Sequence, residues 1–125
     1  MSSTKNFSVE QDPKLACTCG HEDCDKRVVR QEVLDMLQEV RDLVDHPMIV
    51  TSGGRCPNHP NEVHRSQPAD HQKCQGIDIK VGNGVERGEL VLYGMHAGFN
   101  SFGVAKTFIH LGYREGAPLV IWEYS

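Results

Sequence analysis

Asp70-His71-Gln72-Lys73-Cys74-Gln75-Gly76-Ile77-Asp78-Ile79-Lys80-Val81 is the stretch whose reading decides the fold. Ile77, Ile79 and Val81 alternate with Asp78 and Lys80, the two-residue period of a half-buried strand, so Asp78 faces away from the core. A second run with strand character, Thr107-Phe108-Ile109-His110-Leu111-Gly112-Tyr113, puts Phe108, His110 and Gly112 on one face and Ile109 and Leu111 on the other. His71, Asp78 and His110 together offer two imidazoles and one carboxylate. That donor set suits a zinc ion with one position left open for water.

Around these strands the remaining elements fall into place. Val29, Val33, Leu37, Val40 and Val44 recur at helical spacing and predict a helix from Asp25 to Asp45, with Asp25 as N-cap and His46-Pro47 beyond its end. Met48 to Thr51 reads as a short strand running into Ser52-Gly53-Gly54-Arg55-Cys56-Pro57, a turn rich in residues that permit unusual backbone angles. Arg55, delivered there to a sheet edge, can bind a carboxylate or a developing oxyanion. Residues 58–70 form a long irregular segment holding His59 and His64, and such loops are commonly functional. Val85 to Ala97 reads as a second helix stopped by Gly98, followed by strands at Phe102–Val104, Thr107–Tyr113 and Leu119–Glu123. The pattern is an α+β domain in which two helices pack on a small, mainly antiparallel sheet.

The 125 residues suffice for one domain and are too few for two. Residues 1–14 are polar and without period, so a flexible N-terminal arm is expected there, with the domain proper over 15–125. A net charge of −4 argues against a nucleic-acid partner held by bulk phosphate attraction. No run approaches the roughly 20 apolar residues of a membrane span. The first residues lack the apolar core of a signal peptide, which predicts synthesis and folding in the cytoplasm. Five cysteines is an odd number, unsuited to a complete disulfide framework. Cys17, Cys19 and Cys24 cluster around His21 and have the composition of a second, structural zinc site; reduced thiols, or one of them paired with Cys56, fit the spacing too.

Several of these segments, taken together, resemble the peptidase M15 family of D-alanyl-D-alanine carboxypeptidase-like zinc peptidases, which includes many phage endolysins. The family's first metal motif, Ser-x-His-x-x-Gly-x-Ala-x-Asp, corresponds to Ala69 through Asp78, and its Phe-x-His-x-Asp strand to Phe108 through Gly112. Thr51-Ser52-Gly53-Gly54-Arg55-Cys56-Pro57 follows the family's Thr-Ser-Gly-x-Arg-Cys-Pro turn. A Cys-x-Cys-Gly opening and a closing strand with Trp122 are familiar in phage members, so the similarity spans about residues 15–123.

The resemblance implies a hedgehog/DD-peptidase-like fold, Zn2+ bound by His71, Asp78 and His110, and Arg55 as the catalytic group holding the substrate carbonyl or its oxyanion. It further implies a carboxypeptidase or endopeptidase acting on bacterial peptidoglycan peptides, phage-encoded for lysis or cell-wall penetration. Such a protein would be released by lysis or carried in a virion among other virion proteins. Several positions depart from the pattern. Thr107 stands where many members carry an acidic base, Gly112 where they carry an aspartate, Ala69 at the motif serine and Cys74 at the motif glycine. The base therefore falls to Asp70, Glu115, Glu123 or His64. The alternative is a catalytically impaired virion or wall-binding module that keeps the fold and the metal.

Overall fold

In the computed structural model, which describes residues 2–124, one five-stranded sheet carries both the core and the candidate site. In chain order the elements are α1 (Gln31–Val44), β1 (Val50–Ser52), β2 (Gly76–Lys80), α2 (Gly84–Ala97), β3 (Ser101–Val104), β4 (Phe108–Gly112) and β5 (Val120–Glu123), with a single 3-10 turn at Pro13–Leu15. The strands lie in the order β1-β2-β4-β3-β5, antiparallel except for the β3–β5 pair. The α+β architecture with two helices and a mainly antiparallel sheet is the one read from the sequence.

The alternation in β2 and β4 does the sorting. Ile77, Ile79, Ile109 and Leu111 are fully buried beneath the helices, joined by Phe102 of β3 and by Val33, Leu34, Leu37 and Val40 of α1. Side chains of this size each contribute about 1.5–3 kcal/mol on burial. Helix α2 comes unusually close to the sheet at Gly94, where a Cβ would lie 2.8 Å from the Phe102 ring and 3.1 Å from Leu111. Its start is capped by Asn83, whose side chain accepts from the Glu86 amide at 2.9 Å while the Glu86 carboxylate accepts from Gly82 N–H at 2.8 Å. Gly98, in the left-handed region at φ 108°, ends it.

Two expectations need correction. Helix α1 begins at Gln31, and Asp25 is not its N-cap. Val29 is buried, but residues 27–29 run extended beside 15–17: Val29 donates to Leu15 O at 3.2 Å, and Ala16 bridges Val28. Its burial comes from that pairing, so the apolar spacing carried the helix start from Gln31 back to Asp25, more than a full turn too early. The stretch expected as a loosely held arm lies along α1, with Phe7 in the core and both Thr4 Oγ1 and Asn6 N–H donating to Gln38 Oε1, at 2.7 and 2.8 Å.

The opposite face of the sheet is organised by register. Ser52 pairs with Asp78, Asp78 with His110, His110 with Gly103 and Gly103 with Trp122, so these five residues form one row across all the strands. Opposed residues on paired strands share a face. The row therefore carries the arginine turn at one end, two candidate ligands in the middle and an aromatic ring at the other end.

Candidate metal centre and its cleft

His71 reaches this row from a turn that precedes β2. Lys73 N–H donates to Ala69 O at 3.1 Å and Gln75 N–H to Asp70 O at 3.0 Å, while Cys74 adopts φ 60° to reverse the chain into the strand. This is the position at which the family motif has glycine, and the left-handed backbone gives the reason for that preference. The arginine turn is tied to the same segment, because Arg55 N–H donates to His71 O at 3.1 Å. Gly53 and Gly54 do not use positive φ, as the composition of the turn suggested. They serve close approach: a Cβ on Gly53 would lie 2.8 Å from Leu15 Cα, and one on Gly54 would overlap the Arg27 carbonyl.

His71, Asp78 and His110 come together, all three buried. His71 Nε2 lies 3.2 Å from Asp78 Oδ1, His110 Nδ1 lies 2.9 Å from the same oxygen, and the two ring nitrogens are 3.2 Å apart. Bonds of about 2.0–2.2 Å to a tetrahedral ion put its ligands roughly 3.3 Å from one another, so the triangle has the right size. The outward contacts fix which ring atoms face inward. His71 Nδ1 donates to Gly53 O at 2.7 Å, and His110 Nε2 donates to Asp70 Oδ2 at 2.8 Å. With both outer nitrogens protonated, the neutral rings turn two lone pairs and a carboxylate oxygen towards one point. A divalent cation satisfies that convergence, and the residues present fit zinc.

Electrostatics agree with a site built for positive charge. Burial alone would raise the Asp78 pKa, but hydrogen bonds and charge from His110 and His71 outweigh it and hold the group well below the usual carboxylate range. For Asp70 the same burial is overcome by His110, Arg114 and Gln75, again far below the ordinary value. Burial would depress His110, yet the two carboxylates beside it, Asp70 and Asp78, keep its pKa above that of a free imidazole.

Asp70 accounts for one of the departures from the family pattern, Gly112. Its carboxylate lies against β4 and β3, accepting from His110, from Ser101 Oγ at 2.8 Å, from Gln75 Nε2 at 3.1 Å and from Arg114 Nε at 2.9 Å. A Cβ at Gly112 would overlap Asp70 Oδ2, and one at Gly76 would lie 2.7 Å from His110 Cε1 and 2.8 Å from Asp70 Cβ. The two glycines make room for a carboxylate arriving from another part of the chain.

The centre opens into a cleft of about 530 Å³. Arg55 closes one side: Nε donates to Ser52 Oγ at 2.9 Å, Nη1 to Glu62 Oε2 at 3.1 Å and Nη2 to Asp78 Oδ2 at 3.5 Å. Glu62 is buried in the irregular loop, paired also with Arg65 at 3.2 Å, and nothing in its sequence context marks it. The other wall is aromatic. Trp122 lies across Gly103, its ring centroid 5.4 Å from that of His110, with the Arg114 guanidinium 5.5 Å over it and Phe108 and Tyr124 alongside. Of the four groups considered as base, Asp70 and His64 line the cleft. Glu115 lines a different groove beside Arg114, and Glu123 lies exposed on β5. Thr107 is exposed at the start of β4. The His21 ring does not join the four grouped cysteines, its Nδ1 accepting from Asp23 N–H at 3.0 Å.

Residues 5–112 match the family model described as Peptidase M15, a span containing Arg55 and all three candidate ligands. No curated protein matches the chain. With the match covering most of its length, the chain belongs to the peptidase M15 family, which is in general a family of zinc-dependent metallopeptidases.

Proposed function

We propose that this chain hydrolyses peptide bonds of bacterial peptidoglycan, as a D-Ala-D-Ala carboxypeptidase-like or L-Ala-D-Glu endopeptidase, with zinc held by His71, Asp78 and His110. The observation that carries the reading is the convergence of three lone pairs on the floor of a cleft bordered by Arg55, Arg65 and Arg114, in a protein of net charge −4. The three arginines match the three carboxylates that line the cleft, Glu62, Asp70 and Asp78, so a bound divalent ion leaves the cleft positive. That suits a substrate with several carboxylates, as wall stem peptides have. Bound zinc supplies a Lewis acid and an acidified water at neutral pH.

The chain's own groups do the rest. Arg55 spends three of its N–H donors on Ser52, Glu62 and Asp78 and keeps the others for the substrate carbonyl as negative charge develops on it. Phe108, Trp122 and Tyr124 hold the small apolar side chains of the peptide and keep water from the far side. His64 accepts the proton of the attacking water and returns it to the leaving amine. It is assigned by its place in the cleft, because the carboxylates of Asp70 and Glu62 are both engaged by arginines. Substrate location places the action at the cell wall, in phage lysis or entry, with release by a partner pore or carriage in a virion beside other virion proteins.

One observation favours the second reading, a module that binds wall peptide without efficient turnover: exposed Thr107 replaces the usual acid, and neither cleft carboxylate is free to substitute. Muropeptide release from purified peptidoglycan, with zinc restored after chelation, separates the two. Activity abolished by His71→Ala and lowered about 10²- to 10⁴-fold by His64→Ala supports the enzyme. Folded, zinc-loaded protein that binds wall fragments and cuts none at any pH supports the module.

A further inference from the structure

The irregular segment before α1 and the arginine turn bring a second set of donors together, away from the cleft. The sulfurs of Cys17, Cys19, Cys24 and Cys56 all lie within 4.8 Å of one another, and Cys19 Sγ is 3.5 Å from Cys56 Sγ. All four are free thiols; Cys17 and Cys56 are buried, Cys19 and Cys24 half-buried. Three come from one short loop, and the fourth sits almost forty residues downstream, on a different part of the fold. We propose that these four cysteines bind a structural zinc ion that fastens the N-terminal loop to the turn carrying Arg55.

Four thiolates at about 2.3 Å from a tetrahedral zinc stand roughly 3.8 Å apart, within the spread of the observed cluster. Backbone amides already point at two of the sulfurs: Cys56 N–H donates to Cys17 Sγ and Lys26 N–H to Cys24 Sγ, each at 3.3 Å. Such bonds orient metal-bound thiolates and spread their charge. Lys26 holds the left-handed backbone, at φ 53°, that aims its amide back at Cys24. Cys17 is fixed through its own backbone, donating to Arg27 O at 3.0 Å. The donor set is closed, with four protein ligands and no position left for water, so the chemistry is structural and not hydrolytic.

The consequence for the cleft follows from connectivity. Cys56 is the next residue after Arg55, and Gly53 and Gly54 press against Leu15 and Arg27 on either side of the cysteine loop. A metal clamped on Cys56 holds the backbone from which the guanidinium reaches Asp78. In sequence the three clustered cysteines suggested His21 as the fourth donor; the fold supplies Cys56 instead.

The test is metal stoichiometry on the full chain, purified under reducing conditions and loaded with zinc. Wild type is expected to hold two zinc ions per chain, and His110→Ala and Cys24→Ser one each. X-ray absorption at the zinc edge of His110→Ala should show four sulfur neighbours at about 2.3 Å, a readout that needs no cysteine substitution. Hydrogen exchange across residues 53–57 should speed up in Cys24→Ser. A wild-type protein holding a single zinc with nitrogen and oxygen neighbours overturns the proposal, as does a Cys19–Cys56 disulfide found by mass spectrometry in the reduced-purified, zinc-loaded chain. Zinc retained in His110→Ala and wholly lost in Cys24→Ser would leave this site standing while removing the centre in the cleft.

Discussion

Replacing Asp70 by asparagine keeps the shape beneath His110 and removes the charge. In the native protein Asp70 Oδ2 accepts from His110 Nε2 and Ser101 Oγ, both at 2.8 Å, while Oδ1 accepts from Gln75 Nε2 and Arg114 Nε. An asparagine has one acceptor oxygen, so whichever way it turns, its NH2 confronts a pair of donors. The lower-cost choice faces the oxygen to His110 and the NH2 to Arg114, whose side chain is 38% exposed and can swing into water. Losing the charge-assisted bonds should lower apo-protein stability by about 2 kcal/mol. Loss of an outer carboxylate on a ligating histidine should weaken zinc binding about 10- to 100-fold, roughly 1.4–2.7 kcal/mol.

The pH dependence makes the prediction sharper. A ligating imidazole must be neutral, and in the metal-free protein the neighbouring carboxylates hold the His110 pKa above its ordinary value. Wild-type affinity therefore begins to fall when the pH drops below that raised pKa. Asp70→Asn lowers the His110 pKa, so proton competition sets in only at more acid pH. The deficit of the variant should be largest above neutrality and should narrow on acidification. Chelator competition titrations across the pH range measure it. A variant that folds and binds zinc as tightly as wild type, or whose deficit widens in acid, refutes the assignment of Asp70 as the group that orients His110.

Arg55→Ala would strip buried Asp78 of its guanidinium and leave Glu62 with Arg65 alone, at about 3 kcal/mol in denaturant unfolding. Arg55→Lys keeps the charge and loses the fork, so thermal unfolding should change little while kcat falls about 10²- to 10³-fold on a wall peptide. Gly112→Asp should displace Asp70 and weaken zinc binding, and adding Asp70→Ala should restore it, because the new carboxylate occupies the vacated volume; calorimetric titration of the single and double variants checks this. Cys74→Gly should stabilise the protein by about 1 kcal/mol in denaturant unfolding, by relieving a left-handed non-glycine residue at φ 60°. Asp70 and Asp78 have folded-state pKa values below their unfolded ones, so the stability they contribute is fully present above roughly pH 4 and is lost as the pH falls towards the folded values. Acid titration of the metal-free protein followed by circular dichroism should lose structure in that window, and Asp70→Asn should flatten the loss.

The strands were legible because burial on one face leaves a period in the letters. Ile77, Ile79, Ile109 and Leu111 have no other reason to alternate with Asp78 and His110, and the same alternation that fills the core aims the candidate ligands at the cleft. The helix before them was legible in its middle and not at its start. Val29 fits the helical series because it is buried, and its burial comes from pairing beside Leu15, a contact between segments that a local period cannot distinguish from a further turn of helix.

The site divides along the same line. His71, Asp78, His110 and Arg55 each sit at a fixed offset from a strand, and a fixed offset survives in sequence. Gly112 looked like a loss because a motif is compared position by position, whereas the space beside His110 is filled from wherever the chain can reach it. Asp70 reaches it from the turn that carries His71, and Gly76 and Gly112 are small for the same reason, so what appear as separate substitutions are one packing arrangement. Glu62 and Cys56 follow that logic too: each is placed by a long loop folding back, and each acquires a role only from a partner distant in the chain. The proposed proton acceptor differs from these: the cleft carboxylates Glu62, Asp70 and Asp78 are each paired with an arginine, whereas His64 lies exposed in the loop at the mouth of the cleft.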